Sequence, residues 1–399
     1  MASKKLYSGA LPGGFSPSAI QNRIKKLRMG KITVQTRPGA EVTVRQLRHE
    51  FLFGAAVPDS LAEKAHKAMR PADRSRYLKI LAEHFNFAVH ENALKWYDCE
   101  LREGKVDYYL ADRIWELCRE RNIPMRGHCI FWEKEDLNLP WVRKLDNDRL
   151  RAAIVRRATG VTRHFKGRIE EFDLNNEMIN GEFFRRRLGY GIVSEMAWMA
   201  KAGNPDAVLY MNDYGIFYDY GFNLESYCVQ IRDLLANGVP IGGIGIQGHS
   251  GALHQLGLSA EHVQDALDRL SVFGLPIKIT ECLFDVDDEQ QQASEMRKIL
   301  PLYFAHPNVE AVIIWGFWAG DHWRPWSALW RKDWSITPQG EAFRDLVYNQ
   351  WWTQVKGKAN SSGRFQTEAF FGEYQIESAG KKQKAALRKT DKSLHVALD

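Results

Sequence analysis

The stretch PIKITECLF, residues 276–284, decides the fold. Its apolar and β-branched residues form a short run, which is typical of a strand buried within a parallel sheet. The run carries a carboxylate, Glu281, near its end. The stretch IEEFDLNNEMIN, residues 169–180, has the same form and carries Asn176 and Glu177. Two buried strands that each present a glutamate predict a paired-carboxylate site, although an acidic residue after a strand is more often a helix cap.

Strands of this kind recur along the chain. From Phe51 onward, short apolar runs alternate with helical patterns, which indicates βα units and a parallel sheet. The predicted strands are residues 51–57, 85–91, 123–131, 169–175, 207–213, 243–249, 276–282 and 312–318. Eight βα units predict an α/β fold, a closed (β/α)8 TIM barrel. An open doubly wound sheet is the alternative, but no glycine-rich phosphate loop follows any of the strands.

Composition excludes several classes of protein. The 399 residues are 45% hydrophobic and 26% charged, which is ordinary for a globular protein, and the net charge is +6. Positive residues are spread along the chain apart from a lysine-rich tail, so we expect no nucleic-acid partner. The cysteines number 5 and form no CxxC pair, which argues against a disulfide framework or a zinc site.

Membrane and targeting signals are not evident in the sequence. No apolar run approaches the roughly 18 residues of a membrane helix, so we expect no membrane partner. The start, MASKKLYSGALPGG, lacks the apolar segment of a signal peptide. An intracellular location and export with a signal already removed both fit this start.

The chain is predicted to divide into four parts. Residues 1–30 form an N-terminal arm and a short helix, and residues 31–48 form a β-hairpin around Pro38-Gly39. The barrel occupies 49–350, and 351–399 alternate between polar and apolar residues as short strands do. Because an isolated hairpin is marginal in water, we expect both termini to build one small β-sandwich-like accessory domain.

Polar and aromatic residues gather at one end of the predicted barrel strands. These residues are Glu91, Asn92, Lys95, Trp96, His128, Trp132, Asn176, Glu177, Asn212, Asp213, Tyr214, Gln247, His249, Glu281 and Trp315. The chemistry of such barrels takes place at the carboxyl ends of the strands. The collective pattern therefore predicts a site at that end, where each member alone would be weak evidence.

Seven motifs occur in the order of a known family over residues 51–346. They read HENALKW, RGHCIFW, FDLNNE, LYMNDY, GIGIQGH, KITE and IIWGFWAGDHW. On these motifs the chain resembles glycoside hydrolase family 10, the retaining endo-β-1,4-xylanases. The resemblance implies cleavage of β-1,4-xylosidic bonds in xylan through a covalent glycosyl-enzyme intermediate, without a metal or organic cofactor. It also implies a polysaccharide partner, a monomer, and a secreted or periplasmic location.

The resemblance assigns roles to individual residues. Glu281 would be the nucleophile and Glu177 the acid/base, with Asn176 on the sugar 2-hydroxyl and His249 holding Glu281 ionised. The implied substrate-binding residues are Glu91, Asn92, Lys95, His128, Trp132, Asn176, Gln247, His249, Trp315 and Trp323. Tyr214, Glu133 and Phe184 are further candidates.

The sequence departs from the family at three places. Glu281 is followed by Cys282-Leu283-Phe284-Asp285, where members usually carry a Leu-Asp pair. Trp132 is followed by Glu133-Lys134-Glu135, where members usually carry His-Ser-Gln. The segment GEFFRRRLGY, 181–190, is either an aromatic platform with charges for acidic side groups or a solvated loop with salt bridges. Two alternatives therefore stay open: the same mechanism on a decorated xylan or another β-glycan, and a non-catalytic glycan-binding barrel.

Overall fold

The computed structural model describes residues 16–218, 222–250 and 258–398, so most of the predicted N-terminal arm lies outside the described residues. The strands are β1 Met29–Gln35, β2 Glu41–His49, β3 Leu52–Val57, β4 Phe87–His90, β5 Met125–Arg126, β6 Phe131–Trp132, β7 Glu171–Asn176, β8 Val208–Asp213, β9 Ile241–Ile246, β10 His249–Ser250, β11 Ile277–Phe284, β12 Val309–Ile314, β13 Gln354–Lys358, β14 Arg364–Phe370, β15 Gly372–Ser378, β16 Lys381–Leu387 and β17 Ser393–Ala397.

The helices cover the barrel strands from outside. They are α1 Pro17–Arg28, α2 Pro71–His84, α3 Trp96–Cys99, α4 Tyr109–Arg119, α5 Pro140–Lys144, α6 Asn147–His164, α7 Phe183–Leu188, α8 Ile192–Gly203, α9 Phe222–Ala236, α10 Ala260–Ser271, α11 Glu289–Phe304 and α12 Pro338–Asp345. Within the described ranges, no helix combines the length and the apolar character needed to cross a membrane.

The parallel sheet closes into a barrel. Its strand order is β5-β4-β3-β12-β11-β9-β8-β7-β6. Because β5 and β6 belong to the same segment, the two ends of this order meet. Gly127 between them bridges Phe172 of β7, and Phe131 of β6 lies opposite Asn175. The ring therefore has eight positions, and the predicted (β/α)8 barrel is confirmed.

Amphipathic periodicity explains how the helices pack on this ring. The buried residues of α10 include Val263, Ala266, Leu267 and Leu270, which share one face at spacings of three and four residues. Ser259 begins the helix by accepting a hydrogen bond from the backbone N–H of His262. Because the helices pack on the outside of the ring, they leave the carboxyl ends of the strands open for the site.

A β-sandwich lies beside the barrel. β1 pairs with β14 and β17 in a three-stranded sheet, and β2 lies with β13, β15 and β16 in a four-stranded sheet. Apolar residues of both sheets share one core: Ile32, Val34, Val42, Val44, Ala359, Ala369, Phe371, Tyr374, Ile376, Leu387, Val396 and Leu398. The predicted sandwich-like domain built from both termini is confirmed. Its boundaries at residues 30, 48 and 350 stay predictions.

The predicted hairpin of residues 31–48 is wrong. Both segments form strands, but they belong to facing sheets and do not pair with each other. Each strand takes its backbone partners from the C-terminal segment, as in the antiparallel register of Val34 with Phe365 and of Val44 with Ile376. This arrangement buries the apolar faces of both strands in one core, which a solitary hairpin could not do.

The sandwich contacts the amino ends of the barrel strands. Arg48 of β2 donates to the carbonyl oxygens of Asn86 at 2.7 Å and Asn122 at 2.5 Å, which precede β4 and β5. The accessory domain and the predicted site therefore lie at opposite ends of the barrel.

Arg28, the last residue of α1, ties this end of the barrel together. The buried guanidinium donates to the carbonyl oxygens of Phe304 and His306 at 2.7 Å and of Val309 at 2.8 Å. Burial lowers the pKa of Arg28 to about 10, so the side chain is charged at neutral pH. The three acceptors lie at the end of α11 and the start of β12.

Replacing Arg28 by alanine should lower the free energy of unfolding by about 3 kcal/mol, because three buried carbonyl oxygens lose a charged donor. Urea unfolding followed by circular dichroism measures this loss. Arg37→Ala, at an exposed position between β1 and β2, is the matched control and should change stability by less than about 0.5 kcal/mol. Equal losses in the two variants would contradict the prediction.

Candidate active site

The carboxyl ends of the barrel strands surround one cleft of about 470 Å³. The residues that line it are Glu91, Asn92, Lys95, Tyr97, His128, Trp132, Asn176, Glu177, Tyr214, Gln247, His249, Glu281, Trp315, Trp323 and Arg324. All residues that the resemblance named for the site lie here except Glu133 and Phe184. Of the further residues at the strand ends, Trp96, Asn212 and Asp213 are buried and do not line the cleft. Tyr97 and Arg324 were missed, although each lies next to or near a predicted residue in the chain.

Glu281 lies in β11 and is 5% exposed. Its carboxylate accepts a hydrogen bond from Asn212 Nδ2 at 2.9 Å and lies 3.2 Å from His249 Nε2 and 4.0 Å from His128 Nε2. Burial acts to raise the pKa of Glu281, but the hydrogen bond from His249 and the nearby positive charges outweigh it and leave the pKa below its ordinary value. The group is therefore ionised at neutral pH, as a nucleophile must be.

Glu177 follows β7 directly and is 9% exposed. Its backbone adopts the left-handed conformation, with φ of 59°. This conformation is uncommon for a residue with a side chain and, where it occurs, is often found at functional sites. The backbone N–H donates to the carbonyl oxygen of Asn212 at 2.9 Å, and the carboxylate accepts from Gln247 Nε2 at 3.1 Å. The loop thus turns the carboxylate into the cleft.

Two amide side chains connect the carboxyl groups. Asn212 Nδ2 donates both to Glu281 Oε1 and to Asn176 Oδ1, each at 2.9 Å, and Asn176 Nδ2 lies 3.3 Å from Glu177 Oε1. The hydroxyl of Thr280 donates to Asn212 Oδ1 at 2.5 Å and so fixes the orientation of that amide. The sequence placed Asn212 at a strand end but assigned it no role.

A buried ion pair between Asp173 and Arg126 orients His128. Asp173 is fully buried and accepts from His128 Nδ1 at 2.8 Å and from the Arg126 guanidinium at 2.5 and 3.0 Å. Burial acts to raise the pKa of Asp173, but the charge of Arg126 outweighs it and lowers the pKa. With Nδ1 held by a carboxylate, His128 directs Nε2 toward Glu281. Arg126 was visible in RGHCIFW, but its partner could not be read from the sequence.

Lys95, Asn92 and Glu91 form a second wall of the cleft. Lys95 Nζ donates to Asn92 Oδ1 at 3.0 Å and lies 4.5 Å from the centre of the Trp132 ring. Burial, followed by the charge of Asp321, raises the pKa of Glu91 to about 7. The wall therefore combines a cation, an amide and a carboxyl that changes charge near neutral pH.

The raised pKa of Glu91 predicts that the free energy of unfolding depends on pH. The folded protein holds the Glu91 proton up to about pH 7, whereas the unfolded chain releases it near 4.5, so stability falls as pH rises between these values. Glu91→Gln removes this loss. The stability of the variant relative to the natural protein should rise from pH 5 to 7, by roughly 3 kcal/mol at most, and level off above.

Denaturant melts at half-unit pH steps measure the Glu91 effect. Glu83→Gln, on the exposed face of α2, is the control and should give a flat difference over the same range. A flat difference for Glu91→Gln would contradict the prediction.

Glu133 and Phe184 do not line the cleft, so their candidacy for the site is wrong. Both are fully buried. Glu133 pairs with Arg185 Nε at 3.1 Å and accepts from Asn175 Nδ2 at 3.0 Å, and Phe184 packs against Phe131 with ring centres 5.7 Å apart. The charged groups pair with each other and the aromatic rings pack together inside the protein. The sequence pattern did not reveal these partners.

The segment 181–190 contains the short helix α7, and the predicted aromatic platform is wrong because Phe183 and Phe184 are buried. The solvated-loop interpretation fits only in part. Arg186 is exposed and pairs with Glu135 at 2.6 Å, but Arg185 is half-buried and directs its guanidinium inward to the fully buried Glu133. Within the described residues, no group of three or more His, Cys, Asp and Glu side chains could hold a metal ion.

The fold and the site together define a class: a (β/α)8 barrel with a pair of buried glutamates at the carboxyl ends of its strands. The model of the family described as glycosyl hydrolase family 10 matches residues 47–345. The chain belongs to this family.

The chain is similar in sequence to named relatives and in fold to a solved structure. The chain is 37% identical to anti-sigma-I factor RsgI6 of Acetivibrio thermocellus over 82% of its length and 33% identical to endo-1,4-beta-xylanase 1 of Arabidopsis thaliana over 90%. It spans 41% and 36% of those two proteins, about two fifths of their length. Xylanase 10B from Thermotoga maritima superposes with a TM-score of 0.67 at 23% identity, covering 75% of this chain and 96% of that one.

Proposed function

We propose that the chain is a retaining endo-1,4-β-xylanase that cleaves internal bonds of xylan by double displacement. The observation that carries this proposal is the pair Glu177 and Glu281, tied through Asn176 and Asn212 at the floor of one cleft. Retaining enzymes need carboxyl groups about 5–5.5 Å apart, so that one can attack the anomeric carbon while the other protonates the leaving oxygen. The amide bridge supports a short separation of this kind.

In the first step, Glu281 attacks the anomeric carbon of the sugar and Glu177 gives its proton to the departing glycosidic oxygen. The bond from Glu281 to the sugar forms as the bond to the leaving chain breaks, and the product is a glycosyl ester. The contacts from Asn212 and His249 favour this step because they hold Glu281 ionised and pointed into the cleft.

In the second step, water replaces Glu281 at the same carbon. Glu177, now without its proton, takes one from the water, and the ester bond to Glu281 breaks. Esterification removes the negative charge of Glu281, which favours the change of Glu177 from acid to base. Two inversions at one centre leave the sugar in its original configuration.

The cleft suits a chain of neutral sugars. Trp132 and Trp315 offer flat apolar faces for pyranose rings, and Lys95, His128 and Asn176 offer donors for ring hydroxyls. Xylan is favoured because relatives at 33% and 36% identity are named endo-1,4-beta-xylanases.

Hydrolysis of xylohexaose tests the proposal. We expect shorter xylo-oligosaccharides from internal cleavage, and proton NMR of the first products should show the β-anomer before mutarotation. Parallel assays on glucuronoxylan, arabinoxylan and mixed-linkage glucan rank the substrates. An α-anomer as first product would contradict retention, and no release of reducing sugar from any glycan would contradict hydrolysis.

A glycan-binding role without hydrolysis is the second candidate. It is supported by the 37% identity to a protein whose name, anti-sigma-I factor, states no hydrolase activity. Binding of xylohexaose to the natural protein, measured by calorimetry with no cleavage after prolonged incubation, would support this role over the first.

We also propose that the chain acts as a monomer and outside the cytoplasm, secreted or periplasmic. A polymer of the size of xylan does not cross a cell membrane unaided, which supports a location outside the cytoplasm. Size-exclusion chromatography with light scattering tests the first point, and fractionation of the source cells tests the second.

A further inference from the structure

An arginine lies between two exposed indoles at the edge of the cleft. The guanidinium carbon of Arg324 is 4.7 Å from the centre of the Trp323 ring and 5.5 Å from that of Trp326. The two tryptophans are 49% and 47% exposed. Arg324 and Trp323 both line the cleft that contains the paired glutamates. Large apolar side chains left in water next to a substrate cleft are candidates for ligand contact.

A buried carboxylate orients this cluster. Asp285 is 7% exposed, accepts a hydrogen bond from Trp326 Nε1, and lies 3.4 Å from Arg324 Nε. Its own backbone N–H donates to the carbonyl oxygen of Ser250 at 2.7 Å. The backbone N–H of Arg324 donates to His322 Nδ1 at 2.8 Å. Asp285 therefore fixes the indole of Trp326, and His322 fixes the backbone of Arg324, whose Nε lies within ion-pair distance of Asp285.

The terminal nitrogens of Arg324 differ from its Nε. Among the residues that the structure describes, none accepts a hydrogen bond from Nη1 or Nη2, whereas Nε lies 3.4 Å from the carboxylate of Asp285. The structural arginines differ in this respect. Arg28 and Arg126 use their terminal nitrogens on buried carbonyl or carboxylate oxygens. Arg324 thus presents to the cleft the planar edge that Arg28 and Arg126 use on internal acceptors.

We propose that Trp323, Arg324 and Trp326 bind an acidic side group of the polysaccharide, the carboxylate of a uronic acid substituent. A guanidinium edge matches a carboxylate through two parallel hydrogen bonds, and an indole face matches the apolar face of a pyranose. This inference rests on the proposed hydrolase function and names a substrate class for the same cleft. It assigns the acid-binding role to this cluster instead of the segment 181–190.

The cluster lies close to the reacting centre. Asp285 follows Glu281 by four residues in the same segment, and the Trp323 ring centre lies 5.6 Å from that of His249, which contacts Glu281. An acidic group bound here would select the sugar units next to the cleaved bond. We therefore expect its effect in kcat/KM for decorated chains.

The test compares one oligosaccharide in two chemical forms. Xylo-oligosaccharides that carry a glucuronic acid branch are assayed beside the same compounds with the carboxyl reduced to an alcohol. The natural protein should prefer the acidic form by roughly tenfold in kcat/KM, since a charge-assisted pair is lost on reduction. Arg324→Gln should bring this ratio close to one, whatever its effect on the absolute rates. Raising the salt concentration should lower the ratio for the natural protein.

Arg151→Gln is the matched control. Arg151 lies on α6 in an exposed pair with Glu195 at 2.6 Å, away from the cleft, so this variant should keep the full ratio. Trp326→Phe keeps a ring but loses the bond to Asp285, and it should lower the ratio in part. A ratio near one in the natural protein, or an unchanged ratio in Arg324→Gln, would overturn the inference.

Failure of the hydrolase proposal can be distinguished from failure of the acid-binding inference. If the natural protein cleaves neither form, the ratio of the two dissociation constants, measured by calorimetry on the intact oligosaccharides, replaces the kinetic ratio. A preference for the acidic form that Arg324→Gln abolishes would then support the binding cluster without hydrolysis. Equal affinities would overturn it.

Discussion

Glu281→Gln is expected to lower kcat on xylan at least about 10⁴-fold while leaving the protein folded. Glutamine has the shape of glutamate and keeps the contact to Asn212, but its amide cannot form a glycosyl ester at a useful rate. The natural carboxylate is ionised because His249, His128 and Lys95 favour its charge. On the proposed mechanism, loss of Glu281 leaves only substrate binding and proton donation by Glu177, and neither replaces covalent attack.

Initial rates of reducing-sugar release measure this loss, and circular dichroism with a thermal melt checks the fold. Glu289→Gln is the matched control, because Glu289 begins α11 shortly after the same strand but pairs with Arg331 near the surface. The control should retain activity within about twofold. If Glu281→Gln kept more than a hundredth of the natural rate, the assignment of Glu281 as nucleophile would fail.

Glu177→Gln should show an activity loss that depends on the leaving group. On xylan, whose leaving oxygen needs a proton, we expect a fall of about 10³–10⁴-fold. On an aryl xylobioside with an acidic phenol the first step needs little protonation, so a burst of phenol should precede slow hydrolysis of the ester. The second step stays slow because no base activates water.

A small anionic nucleophile discriminates the two glutamates. Azide needs no base, so it should restore turnover of the aryl substrate by Glu177→Gln and yield a β-xylobiosyl azide. With Glu281→Gln, any azide product should have the α-configuration, since azide would attack from the side that Glu281 normally occupies. Equal losses of Glu177→Gln on both substrates, with no azide effect, would contradict the acid/base role.

Packing explains why two of the sequence-based predictions were wrong. Glu133 stood beside the predicted site in the sequence, yet it is buried under the cleft wall with Arg185. The segments 31–35 and 41–48 alternate as a hairpin would, yet they occupy facing sheets, because strands from the C-terminal segment supply their partners. In both places the decisive partner lies far away in the chain, 52 residues for Glu133 and Arg185.

The network beneath the site shows the same limit. Asp173, Arg126 and Asn212 are polar residues within or beside strands, and nothing in their spacing identifies their contacts. The structure places Asp173 against His128 and Asn212 between Asn176 and Glu281. Arg324 was passed over for a related reason, since only its position between Trp323 and Trp326 distinguishes it from the other arginines.

What the sequence determined by itself was the barrel and the end of it at which the candidate site residues gather. Eight apolar runs at βα spacing suffice for the ring, because parallel strands must bury both faces, and each run carries its polar residues at the same end. Only the tertiary structure decided which of the neighbouring polar groups reach the cleft and which neutralise one another inside. That outcome depends on distances between residues of different strands and helices. A hydrogen bond forms only when donor and acceptor come within about 3 Å, and the local sequence pattern of a single strand or helix does not specify such distances.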